Sequence, residues 1–133
     1  MKNEYALSDS EFIVMKAVWK VWDGKNAVQT KQFFPHLSEH KWTAAQTFVF
    51  IRRLEDKGLL KAERSPESRR ENVYYPLMTE EEWKYSQSQS FISSIHGGYR
   101  GLILNLLEND KNGEQTVSQI QSIIDEFNKR NHG

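Results

Sequence analysis

The stretch that most constrains the fold of this chain is an amphipathic helix with a clear beginning and end. Thr43 is a favourable N-cap, the periodic residues from Ala44 to Lys57 predict a helix, and Gly58 occupies the position just past it. The stripe expected to face the core has the spacing i, i+3, i+4, i+7 and consists of Thr47, Phe50, Ile51 and Leu54. This segment therefore predicts a helix that is anchored on a core along one side.

The other face of this helix is unusual for a surface turned to water. It presents Ala45, Gln46, Phe48, Val49, Arg52 and Arg53. Half of these side chains are apolar, so the face is either covered by protein or meets a non-aqueous partner.

A basic-tipped β-hairpin is predicted directly after the helix. Side chains alternate in character over residues 60–64 and again over residues 73–77, and a polar loop with Arg69 and Arg70 separates the two runs. Such a helix and hairpin, preceded by two helices, is the order of a winged helix-turn-helix domain. In that fold the third helix enters the DNA major groove and the hairpin is the wing.

The two helices that precede the third helix are predicted within the first 40 residues. Ser8 and Glu11 have the spacing of a capping box, and apolar residues then recur at helical intervals until Asp23 and Gly24. A second helix is predicted over residues 28–34, and the proline that follows indicates a break there.

The chain changes character after the hairpin. Thr79 is predicted to cap a helix with three glutamates in its first turn, and the later helices are strongly apolar with no sheet to cover them. Such helices bury poorly alone, so they are interpreted as a dimerisation unit. The residues expected in the dimer contact are Phe91, Ile95, Leu102, Ile103, Leu106, Leu107, Ile120, Ile123, Ile124 and Phe127. The predicted fold class is mainly α, with a winged helix-turn-helix DNA-binding domain over residues 1–77 and an α-helical dimerisation domain over residues 78–133.

Composition narrows the partners and the compartment. The 133 residues include no Cys, which excludes disulfides, thiolate metal sites and a cysteine nucleophile, and is typical of the reducing cytoplasm. The N-terminus has no signal-peptide core and no apolar run is long enough to span a bilayer, so no membrane association is expected. The net charge of zero splits into +3 for residues 1–77 and −3 for residues 78–133, which suits a DNA-binding part and a protein-binding part.

Contacts with the DNA backbone are assigned to basic side chains and to the start of the third helix, where a phosphate is favoured. The candidates are Lys41, Thr43, Arg52, Arg53, Arg69 and Arg70. For Arg53 the alternative is an ion pair within the subunit. Arg69 and Arg70 at the wing tip also suit contact with the minor groove. The alternative is that the wing tip is disordered and these arginines contact nothing.

Base reading is assigned to the outer face of the third helix. Gln46 has the chemistry to pair bidentately with adenine, and Phe48 and Val49 have the chemistry to pack on thymine methyl groups. Together with Ala45 on the same face, they predict a preference for an A·T-rich half-site. The alternative for Phe48 is packing against another part of the same subunit.

The sequence gives no support for an enzyme, a metal site or a cofactor. His36 and His40 have a spacing that can bind a metal on a helix, but Pro35 breaks the local helix and no third ligand lies nearby. The competing hypothesis for function is a protein-interaction module that has kept the winged-helix fold and docks a protein partner through its third helix. Basic residues on both the helix and the wing favour DNA over that alternative.

Four stretches in a fixed order point to a known family. They are residues 7–19, the set Trp42-Thr43, Arg53-Leu54 and Lys57-Gly58, residues 73–77 followed by Glu80-Glu81, and the set Ser90-Phe91, Gly97-Gly98 and Leu104-Asn105-Leu106. With this spacing they resemble the opening helix, recognition helix, wing end and C-terminal region of the penicillinase-repressor (BlaI/MecI/CopY) family. The resemblance covers about residues 7–127.

The resemblance implies a homodimeric transcriptional repressor that binds a short palindromic operator. In the β-lactam branch of the family, derepression follows cleavage after an Asn in a similar segment, which implies a regulatory protease that cuts between Asn105 and Leu106. The alternative is a surface Asn105 between two leucines of the dimer core. The cysteine cluster of the copper-sensing branch is absent here. Residues 43–48 read TAAQTF where the family commonly carries Ser-Pro-Lys-Thr-Ile-Arg-like residues, so a different operator sequence is expected.

Overall fold

The chain consists mainly of helices and contains one small antiparallel sheet, and the structure, a computed structural model, describes residues 3–68 and 70–132. In chain order the elements are α1 (Asp9–Val21), β1 (Val28–Gln29), α2 (Thr30–Phe33), a 3-10 helix (Phe34–His40), α3 (Ala44–Asp56), β2 (Leu60–Arg64), β3 (Asn72–Pro76), α4 (Glu80–Ser94), α5 (Gly98–Asn109) and α6 (Gly113–His132). The predicted mainly α fold with a winged helix-turn-helix domain is confirmed.

Reciprocal hydrogen bonds fix where helices begin. The predicted capping box of α1 is present, because Ser8 Oγ accepts the backbone N–H of Glu11 while the Glu11 carboxylate accepts that of Ser8. Thr79 and Glu82 form the same pair at the start of α4. These bonds satisfy N–H groups that the first turn of a helix leaves open, so the polar side chains define the first helical residue.

The predicted hairpin is β2 and β3, and a third strand joins it. The sheet order is β1-β3-β2, all antiparallel, with Val28 opposite Tyr74. The second helix predicted over residues 28–34 is therefore wrong at its start, since Val28 and Gln29 are strand and α2 begins at Thr30. The physical reason is that the β-branched Val28 is buried against β3, and this long-range pairing overrides the local helical pattern.

One apolar cluster holds α1, α2, the 3-10 helix and α3 against the sheet. Its buried side chains are Val14, Met15, Ala17, Val18, Trp19, Val28, Phe33, Leu37, Ile51, Leu54, Leu59, Leu60 and Tyr74. The predicted stripe of α3 faces this cluster, with Thr47 also buried and Phe50 partly buried. Gly58 follows α3 with φ of +82°, a left-handed conformation that favours glycine and ends the helix as predicted.

The beginning of α4 packs with the winged-helix residues. The Trp83 ring stacks on Phe12 with centroids 5.2 Å apart, and its indole N–H donates to the Tyr5 carbonyl at 2.8 Å. The first compact unit consequently ends at Gln89 and the second begins at Ser90. The division between the two compact units therefore lies within α4.

The second compact unit leaves much apolar surface in solvent. From residue 84 onward no described side chain is buried. Of the predicted dimer residues, those that are exposed are Phe91, Ile103, Leu106, Ile123, Ile124 and Phe127, and those that are partly buried are Ile95, Leu102, Leu107 and Ile120. Within the described ranges, no helix combines the length and apolar character needed to cross a membrane.

Candidate nucleic-acid interface

The polar side chains at the start of α3 are turned back onto the backbone of that helix. Thr43 Oγ1 accepts the N–H of Gln46 at 3.1 Å, and Gln46 Oε1 accepts the N–H of Thr43 at 2.9 Å. Thr47, which is buried, donates its hydroxyl to the Thr43 carbonyl at 3.1 Å. The T-x-x-Q spacing is the sequence signal for this capping box, and the sequence reasoning used only its first residue.

The capping box competes with the predicted role of Gln46 in reading adenine. Bidentate pairing requires the amide oxygen and nitrogen to reach the base edge together. In the structure the oxygen is hydrogen-bonded to the N–H of Thr43, so Gln46 stabilises the helix that carries the interface.

The contribution of this cap to stability can be measured. We expect Gln46→Ala to lower the free energy of unfolding by about 0.5 kcal/mol, because one cap hydrogen bond is lost while Ala favours the helix interior. Urea denaturation monitored by circular dichroism gives the value. Gln46→Glu is the matched control, since a carboxylate at this position keeps the acceptor and should not destabilise the protein. Equal losses for both variants would contradict a capping role.

The outer face of α3 is exposed and largely apolar in the structure. Ala45 is exposed, Phe48 is 43% exposed and Val49 is 48% exposed. The Phe48 ring also contacts Phe34, with centroids 5.5 Å apart. The packing within the subunit that was the alternative for Phe48 is therefore present, but it leaves a large part of the ring in solvent.

Basic side chains border this apolar surface one turn further along α3. Arg52 and Arg53 are both exposed. The Arg53 guanidinium lies over the Phe50 ring, 6.0 Å from its centroid, and in the described part of the chain it forms no ion pair. Lys41 ends the 3-10 helix just ahead of α3 and is also exposed. The exposed cations are thus placed where an anionic partner of α3 would meet them.

A cleft of about 330 Å³ separates α3 from the beginning of β3. It is lined by Thr30, Phe48, Ile51, Arg52, Glu55, Arg70, Glu71, Asn72 and Tyr74. The cleft brings together Arg52 and Arg70, which the sequence predicted from separate segments. Arg69, the other predicted wing-tip residue, lies outside the described residues.

Two carboxylates, those of Glu55 and Glu71, reduce the net positive charge of this cleft. Burial raises the pKa of Glu55, the neighbouring Asp56 raises it further, and Arg52 acts in the opposite direction. Burial also raises the pKa of the Tyr74 hydroxyl, and the charge of Glu55 adds to that effect. An anion in the cleft would favour protonated Glu55, so lower pH should favour anion binding. The sequence reasoning missed this carboxylate, because its proximity to β3 is a long-range contact.

Aromatic packing anchors the entry to α3. Trp42 stacks on His40 with ring centroids 4.7 Å apart, and it meets Phe50 in an edge contact at 4.9 Å. These contacts fix the chain just ahead of Thr43. Among the described residues, no group of three or more His, Asp or Glu side chains is placed to hold a metal ion.

The predicted cleavage position lies in the second compact unit. Asn105 and Leu106 are both exposed and both lie within α5, and the Asn105 carbonyl accepts a hydrogen bond from the Asn109 side chain at 2.9 Å. A peptide bond inside a helix becomes extended only when the helix opens locally. The Asn105–Leu106 peptide bond is therefore exposed but helical, and it becomes extended only when α5 opens locally at this point.

Comparison with known proteins identifies the family. A family model described as penicillinase repressor matches residues 7–126. The chain belongs to the penicillinase repressor family. This family consists of DNA-binding transcriptional repressors, which confirms the prediction of a repressor that is not an enzyme.

Relatives in the penicillinase repressor family span nearly the whole chain. The chain is 28% identical over 132 residues to the penicillinase repressor of Bacillus licheniformis, covering 98% of each protein. It is 25% identical over 123 residues to the methicillin resistance regulatory protein MecI of Mammaliicoccus sciuri, covering 90% of this chain and 94% of that protein. Among solved structures, AbfR of Staphylococcus epidermidis aligns at 15% identity with a TM-score of 0.45, covering 98% of this chain and 78% of that one. The family and these relatives give no support to a winged-helix module that docks a protein.

Proposed function

We propose that this repressor binds a palindromic operator as a homodimer, with α3 in the major groove and the β2–β3 hairpin as the wing. The observation that carries the proposal is the outer face of α3, where an exposed apolar surface is bordered by Arg52 and Arg53. The cleft beside it joins Arg52 to Arg70 of the wing. An arrangement of cations on both the helix and the wing suits a duplex whose backbone passes between them.

Contact with the DNA backbone is assigned mainly to the exposed cations. Arg52, Arg53 and Arg70 are exposed, as is Lys41 ahead of α3. Thr43 Oγ1 accepts the Gln46 N–H in the capping box, so Thr43 positions the helix, and its hydroxyl can still donate to a phosphate. Phosphate contacts supply most of the affinity of such proteins and make it depend on salt.

Binding-site selection on random duplex DNA with the purified protein tests this function. Affinity for the selected duplex is then measured over a range of salt concentrations. We expect Arg52→Gln to weaken binding and to reduce the slope of log affinity against log salt by about one, because one phosphate contact is lost.

The matched control is Lys129→Gln, which changes the net charge equally but lies at the end of α6 in the second compact unit. It should leave the salt slope unchanged. Failure to select or bind any duplex at low salt would overturn the proposed function. Equal slope changes for Arg52→Gln and Lys129→Gln would remove Arg52 as a backbone contact.

Homodimerisation is assigned to the second compact unit. Its apolar side chains on α5 and α6 are exposed in the single chain, including Leu106, Ile123 and Phe127. Exposed apolar surface of this extent indicates an interaction surface, and a second copy would present the same surface in return. A regulatory protease that cuts between Asn105 and Leu106 remains a prediction from the family resemblance.

A further inference from the structure

We infer that α3 reads its operator through the C5-methyl groups of thymine, with Ala45, Phe48 and Val49 as the contacting side chains. This inference rests on the proposed function and names the chemical group that the same surface recognises. It deepens the sequence-based prediction that Phe48 and Val49 pack on thymine methyl groups, and it gives Gln46 the role of a helix cap instead of a bidentate reader.

The first step is that the side-chain oxygens of Thr43 and Gln46 accept hydrogen bonds within the cap of α3, which leaves Gln46 without the free acceptor that bidentate pairing with adenine needs. Thr43 and Gln46 are bonded to each other's backbone, and Thr47 is buried with its hydroxyl on the Thr43 carbonyl. The remaining residues of this part of the helix are Ala44, Ala45, Phe48, Val49 and Phe50, none of which has a polar side-chain atom. Before Arg52, the side-chain donors of this segment are therefore the Gln46 amide N–H groups and the Thr43 hydroxyl, and the rest of its outer face is apolar.

The second step is the geometry of the apolar side chains. Ala45, Phe48 and Val49 have the spacing i, i+3, i+4, so they lie side by side on one face of α3. All three are exposed. The Phe48 ring also contacts the Phe34 ring, with centroids 5.5 Å apart, and this contact restricts the orientation of Phe48.

The third step is the chemistry of the major groove. Base edges there present hydrogen-bond donors and acceptors, and the C5-methyl of thymine is the apolar group among them. An apolar side chain pressed on a guanine or cytosine edge would leave polar atoms without partners, which is costly. The same side chain against a thymine methyl buries apolar surface at no such cost.

The fourth step is charge, which selects DNA as the occupant of this surface. Arg52 and Arg53 follow the apolar face within one turn, and Arg70 lies across the cleft from Arg52. A thymine methyl in the major groove is flanked by phosphates. An apolar face bordered by arginines, as on α3, is therefore complementary to a DNA duplex. A protein partner would need acidic groups around an apolar knob to match it equally well.

Replacement of thymine by deoxyuridine tests the inference, because it removes the methyl group and keeps every hydrogen-bonding atom. Each thymine of the selected operator is replaced in turn, and the affinity of the full chain is measured by fluorescence anisotropy. We expect a roughly three- to tenfold loss at one or more positions in each half-site, the size expected for one buried methyl group. Equal affinity for the thymine and deoxyuridine duplexes at every position overturns the inference.

Variants separate methyl reading from backbone contact. Val49→Ala should abolish the thymine preference at one position, whereas Arg52→Gln should weaken both duplexes equally and leave their ratio unchanged. Val49 is exposed on a helix, so its replacement by Ala keeps the fold. If Gln46→Ala instead removes the preference for a single adenine, Gln46 is a reader and the inference is wrong. If no duplex is bound at low salt, the proposed function fails, which is a result distinct from equal thymine and deoxyuridine affinities.

Discussion

Lys57→Met should lower the free energy of unfolding at pH 7 by about 2 kcal/mol, because it leaves the Glu11 carboxylate buried without its partner. Glu11 is 3% exposed, and it accepts a hydrogen bond from the Lys57 ammonium. Lys57 is about one-third exposed, so solvent moderates the loss below the 3–5 kcal/mol typical of a fully buried pair. The same ammonium donates to the Ala6 carbonyl at 2.9 Å, which ties down the chain ahead of α1.

The pH dependence identifies the cause of this loss. Burial alone would raise the pKa of Glu11, but hydrogen bonds from Lys57 and from the Ser8 backbone reverse the effect, and the net pKa is lowered. A carboxyl whose pKa is lower in the folded state contributes stability above its unfolded pKa of about 4.3, and that contribution is lost as the pH falls through the folded value. Without Lys57 the effect of burial is less opposed and the pKa of Glu11 rises, so the difference between wild type and Lys57→Met should be full near pH 7 and should shrink steadily as the pH falls.

A double variant provides the matched control for Lys57→Met. Glu11→Gln keeps an acceptor for the Ser8 N–H, so the capping box of α1 survives while the buried charge is removed. Glu11→Gln/Lys57→Met should consequently be more stable than Lys57→Met alone. Urea denaturation at pH 7 and pH 3.5 measures all four proteins. A loss that is the same at both pH values would show that packing of the lysine stem, and not the ion pair, is responsible.

Elements with local causes were predictable from the sequence. The capping box of α1, the extent of α3 and the glycine after it depend on residues a few positions apart. The hairpin was predicted because its strands alternate around a short polar loop. These features together were enough to indicate the winged-helix fold, whereas the family was indicated by the resemblance of four ordered stretches of sequence.

Features with long-range causes were not predictable. Val28 is strand because it pairs with Tyr74, far along the chain. Trp83 belongs to the first compact unit because it packs on Phe12. The cleft at Arg52 and Arg70 forms only when α3 and β3 meet. At the candidate site, residue identity predicted the exposed outer face of α3 but did not indicate which polar groups the helix uses for itself.

Two glutamates on the exposed stripe of α6 should convert the protein to a monomer and weaken palindrome binding by about 100-fold or more. Ile123 and Phe127 are 64% and 63% exposed in the single chain, and they share a face with Ile120 and Ile124. In Ile123→Glu/Phe127→Glu, each copy would bring like charges into the proposed dimer contact. Loss of the link between two DNA-binding units removes a gain of 10²–10⁴ in affinity.

The affinity for a single half-site distinguishes loss of the dimer from loss of the fold. Sedimentation equilibrium gives the oligomeric state, and anisotropy compares the palindrome with an isolated half-site. Half-site affinity should be unchanged, because the residues assigned to DNA contact lie in the other compact unit. Ser118→Glu/Ser122→Glu adds the same charges at exposed positions on the opposite side of α6 and should remain dimeric. If Ile123→Glu/Phe127→Glu also remains dimeric and binds the palindrome as tightly as wild type, the dimer contact does not use this face of α6.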